Sequence, residues 1–292
     1  MENGLCLAGG GVKGAAHIGV IKALEEENID FKYIGGTSSG SIVACLYACG
    51  FTSDQIYKIF KKYCKKTKYV DFLNIIKLIV GLIFTGNIII DGLNSGKEIE
   101  KLIKKVCNKR GIFNIQDARK TIAIPSVNLC NGKVICFTSE CNKKIDLDNT
   151  VFVNDIEIGK AVRASCSYPV VFSPCKYKDI KLIDGGIREN VPWKELKRLG
   201  ARKVLNITFE EETTNECDKN IIDVASSSIG LLSKELSSYE LEVSDYTIKI
   251  RTNKIGLLDM KQIDKMYEEG YNETKKNIKE IKEKILSNNR KH

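Results

Sequence analysis

Short apolar runs alternate with amphipathic stretches through the first part of the chain. Residues 4–8 form an apolar run that ends in glycines, which is typical of a buried parallel strand. Residues 15–27 carry apolar side chains at helical spacing, residues 31–35 predict a second short strand, and residues 41–48 predict an apolar helix. Because strands and helices alternate, we expect an α/β fold with a mostly parallel central sheet and helices on both of its faces.

The same pattern continues along the chain without a dividing linker. A hairpin is predicted at residues 121–138, where Asn131-Gly132 supplies the turn. Further helices and strands are predicted at 53–66, 97–107, 203–209, 248–251 and 262–286. Only four prolines occur among the 292 residues, and no Pro- or Ser-rich linker separates the elements. We therefore expect one domain over residues 1–292.

Residues 72–84 form an unusual apolar segment directly after a basic run at residues 58–68. The segment is too short to span a bilayer, and Lys77 interrupts it. Two interpretations stay open. The segment is either a buried core helix, or an interfacial or lid segment whose neighbouring lysines bring the protein into peripheral contact with an anionic membrane.

The net charge of +9 is concentrated in the run at 58–68 and in the tail after Lys275. Basic patches attract polyanions, either nucleic acid or anionic lipid. Charge runs are more often solvated helix faces, and we favour that interpretation. We find no basic motif of the nucleic-acid-binding kind, so no nucleic acid partner is expected.

Eleven cysteines are scattered through apolar runs without the spacing of a disulfide framework. Free thiols of this kind are typical of a reducing cytoplasm, where we expect the protein to reside. No C-x-x-C pair occurs, so a structural zinc site is not expected. The N-terminus has no basic segment followed by an apolar core, so no secretory signal peptide is predicted.

A glycine-rich turn, Gly9-Gly10-Gly11, connects the first predicted strand to the first predicted helix. Glycines allow the backbone to turn tightly and approach a ligand, and a helix N-terminus presents unpaired N–H groups. Beside a serine nucleophile such groups would form an oxyanion hole. Together with Gly14, the turn also fits the dinucleotide-binding fingerprint. That site needs an acidic residue after the second strand, where Gly36-Thr37-Ser38 stands instead.

Ser38 is the central residue of a G-x-S-x-G motif, Gly36-Thr37-Ser38-Ser39-Gly40. A predicted strand precedes the motif and a predicted apolar helix follows it. In that context the serine stands exposed on a sharp turn, which favours its use as a nucleophile. A serine nucleophile also needs a base, and histidine is the usual one.

The base is difficult to assign to a histidine in this chain. The two histidines are His292, the last residue, and His17 on the first predicted helix, where packing is the favoured role. Asp184 follows a short apolar run and precedes two glycines, and a carboxylate there could take the serine proton directly. An Asp-Gly-Gly sequence is also typical of an ordinary turn, so both interpretations stay open at this point. Lys13 is expected to be solvated.

Four blocks in this order resemble the patatin-like phospholipase family. They are Gly9-Gly10-Gly11-Val12-Lys13-Gly14, Gly36-Thr37-Ser38-Ser39-Gly40, the run from Ala164 to Pro174, and Asp184-Gly185-Gly186 followed by Asn190-Val191-Pro192. One block alone would be weak evidence, but four blocks at sensible spacing are specific. Plant patatins carry an acidic residue before the glycine run, where this chain has Ala8. The resemblance covers residues 4–208, and residues 209–292 match no comparable block.

The resemblance implies a patatin-like three-layer sandwich and a Ser–Asp dyad without histidine. By position, Ser38 is the expected nucleophile, Asp184 the base, and the N–H groups of Gly9, Gly10 and Gly11 the oxyanion hole. The implied activity is lipid acyl hydrolysis of the phospholipase A or lysophospholipase type, with a lipid ester as substrate and no metal or cofactor. The alternative is a non-catalytic regulator that binds a nucleotide or a lipid through the glycine turn.

Overall fold

The computed structural model describes residues 2–66, 90–140, 147–211, 221–252, 255–256 and 259–287. These residues include a sheet of nine strands, β1 to β9, which are Gly4–Leu7, Tyr33–Gly36, Thr121–Asn128, Val134–Thr138, Thr150–Val153, Cys175–Tyr177, Ile180–Asp184, Val204–Glu211 and Tyr246–Thr252. The described α-helices, α1 to α8, are Ala15–Glu26, Ser39–Ala48, Ser53–Lys66, Lys97–Asn108, Ile158–Ser165, Trp193–Leu199, Ile221–Leu241 and Ile263–Ile281.

The central part of the sheet is parallel. Its strand order is β5-β4-β3-β2-β1-β8-β9, and β7 pairs with β3 while β6 pairs with β7. The parallel pairs of the centre are β3 with β2, β2 with β1, β1 with β8 and β8 with β9. Strands β3 and β4 are antiparallel and form the predicted hairpin. The prediction of a mostly parallel sheet is therefore confirmed.

Helices cover both faces of the sheet. The side chains of β1 and of the residue after it point alternately into two cores, one on each face. Leu5 and Leu7 belong to the larger core, which also contains side chains of α1, α2 and α8. Cys6 and Ala8 belong to the second core, which contains Leu196 of α6. All of these side chains are fully buried. Burial on both faces explains why this run is continuously apolar and lacks the alternation of a half-exposed strand.

Helix α8 crosses α1 at very short distance. A Cβ atom at Gly19 would lie 2.0 Å from the carbonyl oxygen of Tyr267, and a Cβ atom at Gly270 would lie 2.0 Å from that of Ala16. The two glycines therefore allow the helix backbones to touch. Met266 of α8 is fully buried in the larger core. The C-terminal residues, which resemble no family block, thus pack directly on the helix that follows the glycine turn.

Several lysines of the two basic runs pair with carboxylates on other helices. Lys61 Nζ lies 2.7 Å from Asp264 Oδ1, while Lys275 and Lys282 lie 3.0 Å and 2.8 Å from the two oxygens of the Glu27 carboxylate. These lysine side chains stay partly exposed to solvent, and they also link α3 and the end of α1 to the C-terminal helical segment. Exposed ion pairs of this kind add little stability and weaken in salt.

The apolar segment 72–84 lies outside the described residues, so both interpretations of it stay predictions. His292 lies outside them as well. None of the helices in the described ranges is both long enough and apolar enough to cross a bilayer.

Replacing Gly270 by alanine is expected to destabilise the protein by about 1–3 kcal/mol, because the added methyl group overlaps the Ala16 carbonyl and forces the two helices apart. Urea unfolding followed by circular dichroism measures the change. Gly256→Ala is the matched control, because a Cβ atom there meets no atom of the described residues within 4 Å. A Gly270→Ala protein as stable as this control would contradict the close helix crossing.

Candidate active site

Ser38 occupies the sharp turn between β2 and α2. Strand β2 ends at Gly36, and α2 begins at Ser39. Ser38 has φ 52° and ψ −125°, a conformation that costs a residue with a side chain roughly 1–3 kcal/mol. The side chain is half-buried rather than packed into the core. This is the geometry expected of a nucleophile on a strand-to-helix turn.

Hydrogen bonds on both sides hold the Ser38 backbone in its strained conformation. The Ser38 N–H donates to Ser165 Oγ at 3.0 Å. The Ser38 carbonyl oxygen accepts from the Ser41 hydroxyl at 2.6 Å and from the Cys166 thiol at 3.1 Å. Ser165 ends α5 and Cys166 follows it, so both belong to the block from Ala164 to Pro174. That block therefore helps to fix the backbone conformation of the candidate nucleophile.

Asp184 reaches Ser38 because of how β7 joins the sheet. Strand β3 runs beside β2 and continues past its end, and β7 runs back along that extension. Asp184, the last residue of β7, pairs there with Ser126. Its side chain is buried, with 1% of its surface exposed. The Oδ1 atom accepts a hydrogen bond from the Gly186 N–H at 2.8 Å.

Two opposing effects set the pKa of Asp184. Burial penalises the charged carboxylate and raises the pKa to about 7, while hydrogen bonds from the Ser38 side chain and the Gly186 N–H oppose the rise. Within the described residues, Oδ2 has no hydrogen bond of normal geometry, so the contact with Ser38 is loose. Loose catalytic hydrogen bonds are common before a substrate binds. A carboxyl group that exchanges its proton near neutral pH is suited to accept one from a hydroxyl group.

The glycine turn approaches Ser38 so closely that a side chain would not fit. A Cβ atom at Gly9 would lie 3.1 Å from Ser38 Cβ and 2.8 Å from Asn190 Oδ1. The Gly9 N–H donates to that same Asn190 oxygen at 2.9 Å. The N–H groups of Gly10 and Gly11 meet no acceptor in the described part of the chain. Of the three predicted oxyanion donors, Gly9 is thus engaged by Asn190, while Gly10 and Gly11 are available.

His17 supports the end of β1. Its Nε2 atom donates to the carbonyl oxygen of Ala8 at 2.8 Å, and its ring packs against Phe209 with the ring centroids 5.0 Å apart. Burial lowers the pKa of His17 to about 4, although the bond to Ala8 opposes this change. The ring is therefore neutral at physiological pH. These contacts agree with the packing role that the sequence favours.

Lys13 differs from its sequence prediction, because it is buried rather than solvated, with 4% of its surface exposed. Burial, with a smaller contribution from the nearby charge of Lys234, lowers its pKa to about 8. Lys13 lies in the 3-10 turn Gly11–Gly14 that leads into α1. A cationic side chain therefore adjoins the predicted oxyanion donors.

Cys45, Cys49 and Cys107 form a group with metal-ligand chemistry in the described ranges. Their sulfur atoms lie within 4.8 Å of one another, and all three residues are buried. Since a helix rises about 1.5 Å per residue, Cys45 and Cys49 lie roughly 10–16 Å along α2 from Ser38. The thiol group therefore does not belong to the serine site.

Comparison with solved structures agrees with the fold and with its three layers. VipD from Legionella pneumophila matches with a TM-score of 0.54 and 16% sequence identity, over 95% of this chain and 67% of that chain. ExoU from Pseudomonas aeruginosa, solved as a heterodimer with SpcU, matches with a TM-score of 0.50 and 17% identity, over 95% of this chain and 51% of that chain. At these identities the likeness concerns the fold, and it confirms the predicted patatin-like architecture.

Sequence comparison gives the family. The uncharacterized protein YqhO of Bacillus subtilis is 30% identical over 223 residues, which are 73% of this chain and 73% of that protein. Lysophospholipase NTE1 of Lodderomyces elongisporus is 29% identical over 204 residues, which are 70% of this chain but 12% of that much longer relative. The family model of patatin-like phospholipases matches residues 5–197, which include Ser38, Asp184 and the glycine turn. The chain therefore belongs to the patatin-like phospholipase family.

Proposed function

We propose that this protein is a lipid acyl hydrolase that cleaves a carboxylic ester through Ser38 and Asp184. The observation that carries the proposal is the position of a buried carboxyl group with a pKa of about 7 beside a serine on a strained strand-to-helix turn. The glycine turn approaches Ser38 at Gly9, and the N–H groups of the next two glycines, Gly10 and Gly11, meet no acceptor among the described residues. Membership of the patatin-like phospholipase family favours a lipid as the source of the ester.

The reaction begins with a proton transfer that activates the serine. Ser38 Oγ attacks the ester carbonyl carbon while its proton passes to Asp184. The carbonyl oxygen becomes an oxyanion, which the N–H groups of Gly10 and Gly11 stabilise at the start of a helical segment. Gly9 contributes a third donor only if its N–H leaves the Asn190 side chain.

Collapse of this intermediate completes the acyl transfer. Asp184 returns the proton to the leaving oxygen, so the alcohol or lysolipid departs and the acyl group stays on Ser38. Water then attacks the acyl-enzyme with Asp184 again as the base, and the fatty acid leaves as Ser38 recovers its proton. Asp184 carries every proton transfer in this sequence of steps.

Our choice of substrate class within the lipids rests on the relatives and not on the dyad. A curated relative carries the name lysophospholipase, and the family is named for phospholipases. We therefore favour a phospholipid or a lysophospholipid.

Ser38→Ala and Asp184→Asn are each expected to lower hydrolysis of a short-chain p-nitrophenyl ester by at least roughly 10⁴-fold, because each removes one half of the dyad. The assay follows nitrophenol release in the presence of EDTA. Ser39→Ala is the matched control, since the buried Ser39 hydroxyl has no hydrogen-bond partner among the described residues and its loss should leave activity near wild type.

Retained activity in either dyad variant would contradict the assignment. If the wild type itself hydrolyses no ester, the alternative of a non-catalytic regulator replaces the hydrolase assignment. Binding of a nucleotide or a lipid to the glycine turn is then the property to measure. Circular dichroism of each variant shows that an activity loss does not arise from unfolding.

The pH dependence of ester hydrolysis should follow the ionisation of Asp184. Only the carboxylate form can accept the serine proton, and burial raises the pKa of this group to about 7. We therefore expect kcat/KM to rise from acidic pH to a plateau, with one limb whose midpoint lies near pH 7. A midpoint near pH 4, the ordinary value for aspartate, would show that the base is a different or an exposed carboxylate.

The raised pKa also predicts that Asp184 lowers stability at neutral and alkaline pH. Between about pH 4 and pH 7 the folded state binds the Asp184 proton more tightly than the unfolded state does. The free energy of unfolding therefore falls as the pH rises over this range, and the loss is complete once the pH has passed the folded pKa of about 7. Asp184→Asn should therefore raise the melting temperature by roughly 2–5 °C at about pH 8. The gain should shrink towards pH 4. Equal gains at both values would contradict the buried ionisation, and Asp155→Asn, at an exposed site, is the control.

A further inference from the structure

Three cysteine side chains from two helical segments meet in the larger core. Cys45 and Cys49 stand four residues apart, so they lie on one face of α2 and of the residue that follows it. The Cys49 N–H donates to the carbonyl oxygen of Cys45 at 3.0 Å, which keeps the helical spacing up to Cys49. Cys107 comes from the last turn of α4, which packs against α2. The three sulfur atoms therefore converge from two distant parts of the chain.

The distances between the sulfur atoms suit a single bound ion. The Sγ atoms of Cys49 and Cys107 lie 3.8 Å apart, and all three lie within 4.8 Å of one another. Sulfur ligands at about 2.3 Å from one ion stand about 3.8 Å apart in tetrahedral geometry and about 4.0 Å apart in trigonal geometry. One pair already has this separation, and the others reach it by closing at most about 1 Å. The group is thus close to ligand geometry without a change of fold.

Burial and the choice of donor atoms make this group selective. All three side chains are fully buried within the larger core. A buried free cysteine ordinarily packs as a small apolar side chain. Among the described residues, however, this is the one group of three histidine, cysteine, aspartate or glutamate side chains at ligand distance from one another. Sulfur donors select a soft ion, because hard ions such as Mg²⁺ and Ca²⁺ require oxygen ligands.

Two arginines beside the group offset the charge of the thiolates. The Arg110 guanidinium stacks on Phe51, with its central carbon 3.6 Å from the ring centroid, and donates to the carbonyl oxygen of Gly50. A Cβ atom at Gly50 would lie 3.5 Å from Arg110 Nη1 and 2.9 Å from Arg119 Nη1, so both cations flank the residue after Cys49. Three thiolates and one monovalent cation leave two negative charges in excess, which the two guanidinium groups match in number. A buried charge needs such compensation.

We propose that Cys45, Cys49 and Cys107 bind one Cu(I) ion as three thiolates. Soft thiolate ligands suit Cu(I), zinc and iron–sulfur clusters. Structural zinc and iron–sulfur clusters take four ligands, whereas the described residues bring three together here, a number that satisfies Cu(I). Each thiol releases its proton to solvent as it binds the ion. The ion ties the end of α2, which begins directly after Ser38, to α4, and the site stands independently of the ester hydrolysis proposed above.

The test counts the metal that the protein holds when copper is present as the chain folds. The full-length protein is expressed with added copper and purified without oxygen in the presence of bicinchoninate, which removes weakly bound Cu(I). The parent protein carries alanine at Cys130, which is exposed, and at Cys141 and Cys217, which lie outside the described residues. These replacements remove adventitious binding to those thiols. Elemental mass spectrometry gives copper and zinc per chain.

Two variants of this parent each remove one proposed ligand, Cys45→Ala and Cys107→Ala. Cys136→Ala is the matched control, because Cys136 is equally buried but belongs to the second core. We expect about one copper per chain in the parent and in the control, and a loss of at least roughly tenfold in both ligand variants. X-ray absorption at the copper edge should show only sulfur ligands. Copper should also raise the melting temperature of the parent by roughly 5 °C, and this shift should vanish in the ligand variants.

Copper that is absent from the parent, or equal in all four proteins, overturns the proposal. Zinc in place of copper overturns the assignment of Cu(I). Circular dichroism reports whether each variant folds. Because the two ligand variants lie on different helices, either folded variant carries the comparison, and Cys107→Ser, nearly isosteric but a poor ligand for a soft ion, replaces them where neither folds. No ester enters the experiment, so its result is separate from that of the dyad.

Discussion

Burial of the Asp184 carboxyl group is the constraint on which the candidate site depends. A solvated aspartate has a pKa near 4 and is a poor acceptor for a serine proton at neutral pH. Removal from water raises the pKa of Asp184 to about 7, and hydrogen bonds from Ser38 and Gly186 do not cancel that rise. His17, the one histidine among the described residues, bonds to a backbone carbonyl, and burial lowers its pKa to about 4, so we do not assign this proton transfer to it.

The sheet brings the three parts of the site together. Parallel strands β1 and β2 end at the same edge, so the glycine turn that follows β1 lies against the Ser38 turn that follows β2. Strand β3 extends beyond this edge and pairs there with β7, so Asp184 at the end of β7 lies near the serine. The strained Ser38 backbone and the buried carboxyl both cost stability. The larger core, tied together by the contact of α1 with α8, offsets these costs.

Patterns within single elements predicted most of the sheet and several helices. The apolar run at β1, the hairpin of β3 and β4, and the long C-terminal helix all agree with the structure, because each depends on local spacing and turn chemistry. Helix α7 was not predicted, since its serines and its exposed leucines do not give the pattern of a helix that buries an apolar face. The assignment of Ser38, Asp184 and the glycine turn came from ordered motifs rather than from local propensity.

Contacts between distant segments could not be predicted from the sequence. Nothing in the order of residues shows that Ser165 accepts the Ser38 N–H, or that Asn190 occupies the Gly9 N–H across the site. The burial of Lys13 likewise depends on the elements that surround it, because a lysine at a helix start is ordinarily solvated. The three glycines look alike in the sequence, but the bond from Gly9 to Asn190 leaves Gly10 and Gly11 as the favoured oxyanion donors.

The most direct test of the dyad is covalent trapping of the nucleophile as a function of pH. A fluorophosphonate reacts with an activated serine hydroxyl, and mass spectrometry of the digested protein identifies the residue that carries the label. We expect label on Ser38 alone, at a rate that rises with pH through a midpoint near 7 and that falls sharply in Asp184→Asn. Label on another serine, no label at all, or a Ser38 rate that Asp184→Asn leaves unchanged would contradict it.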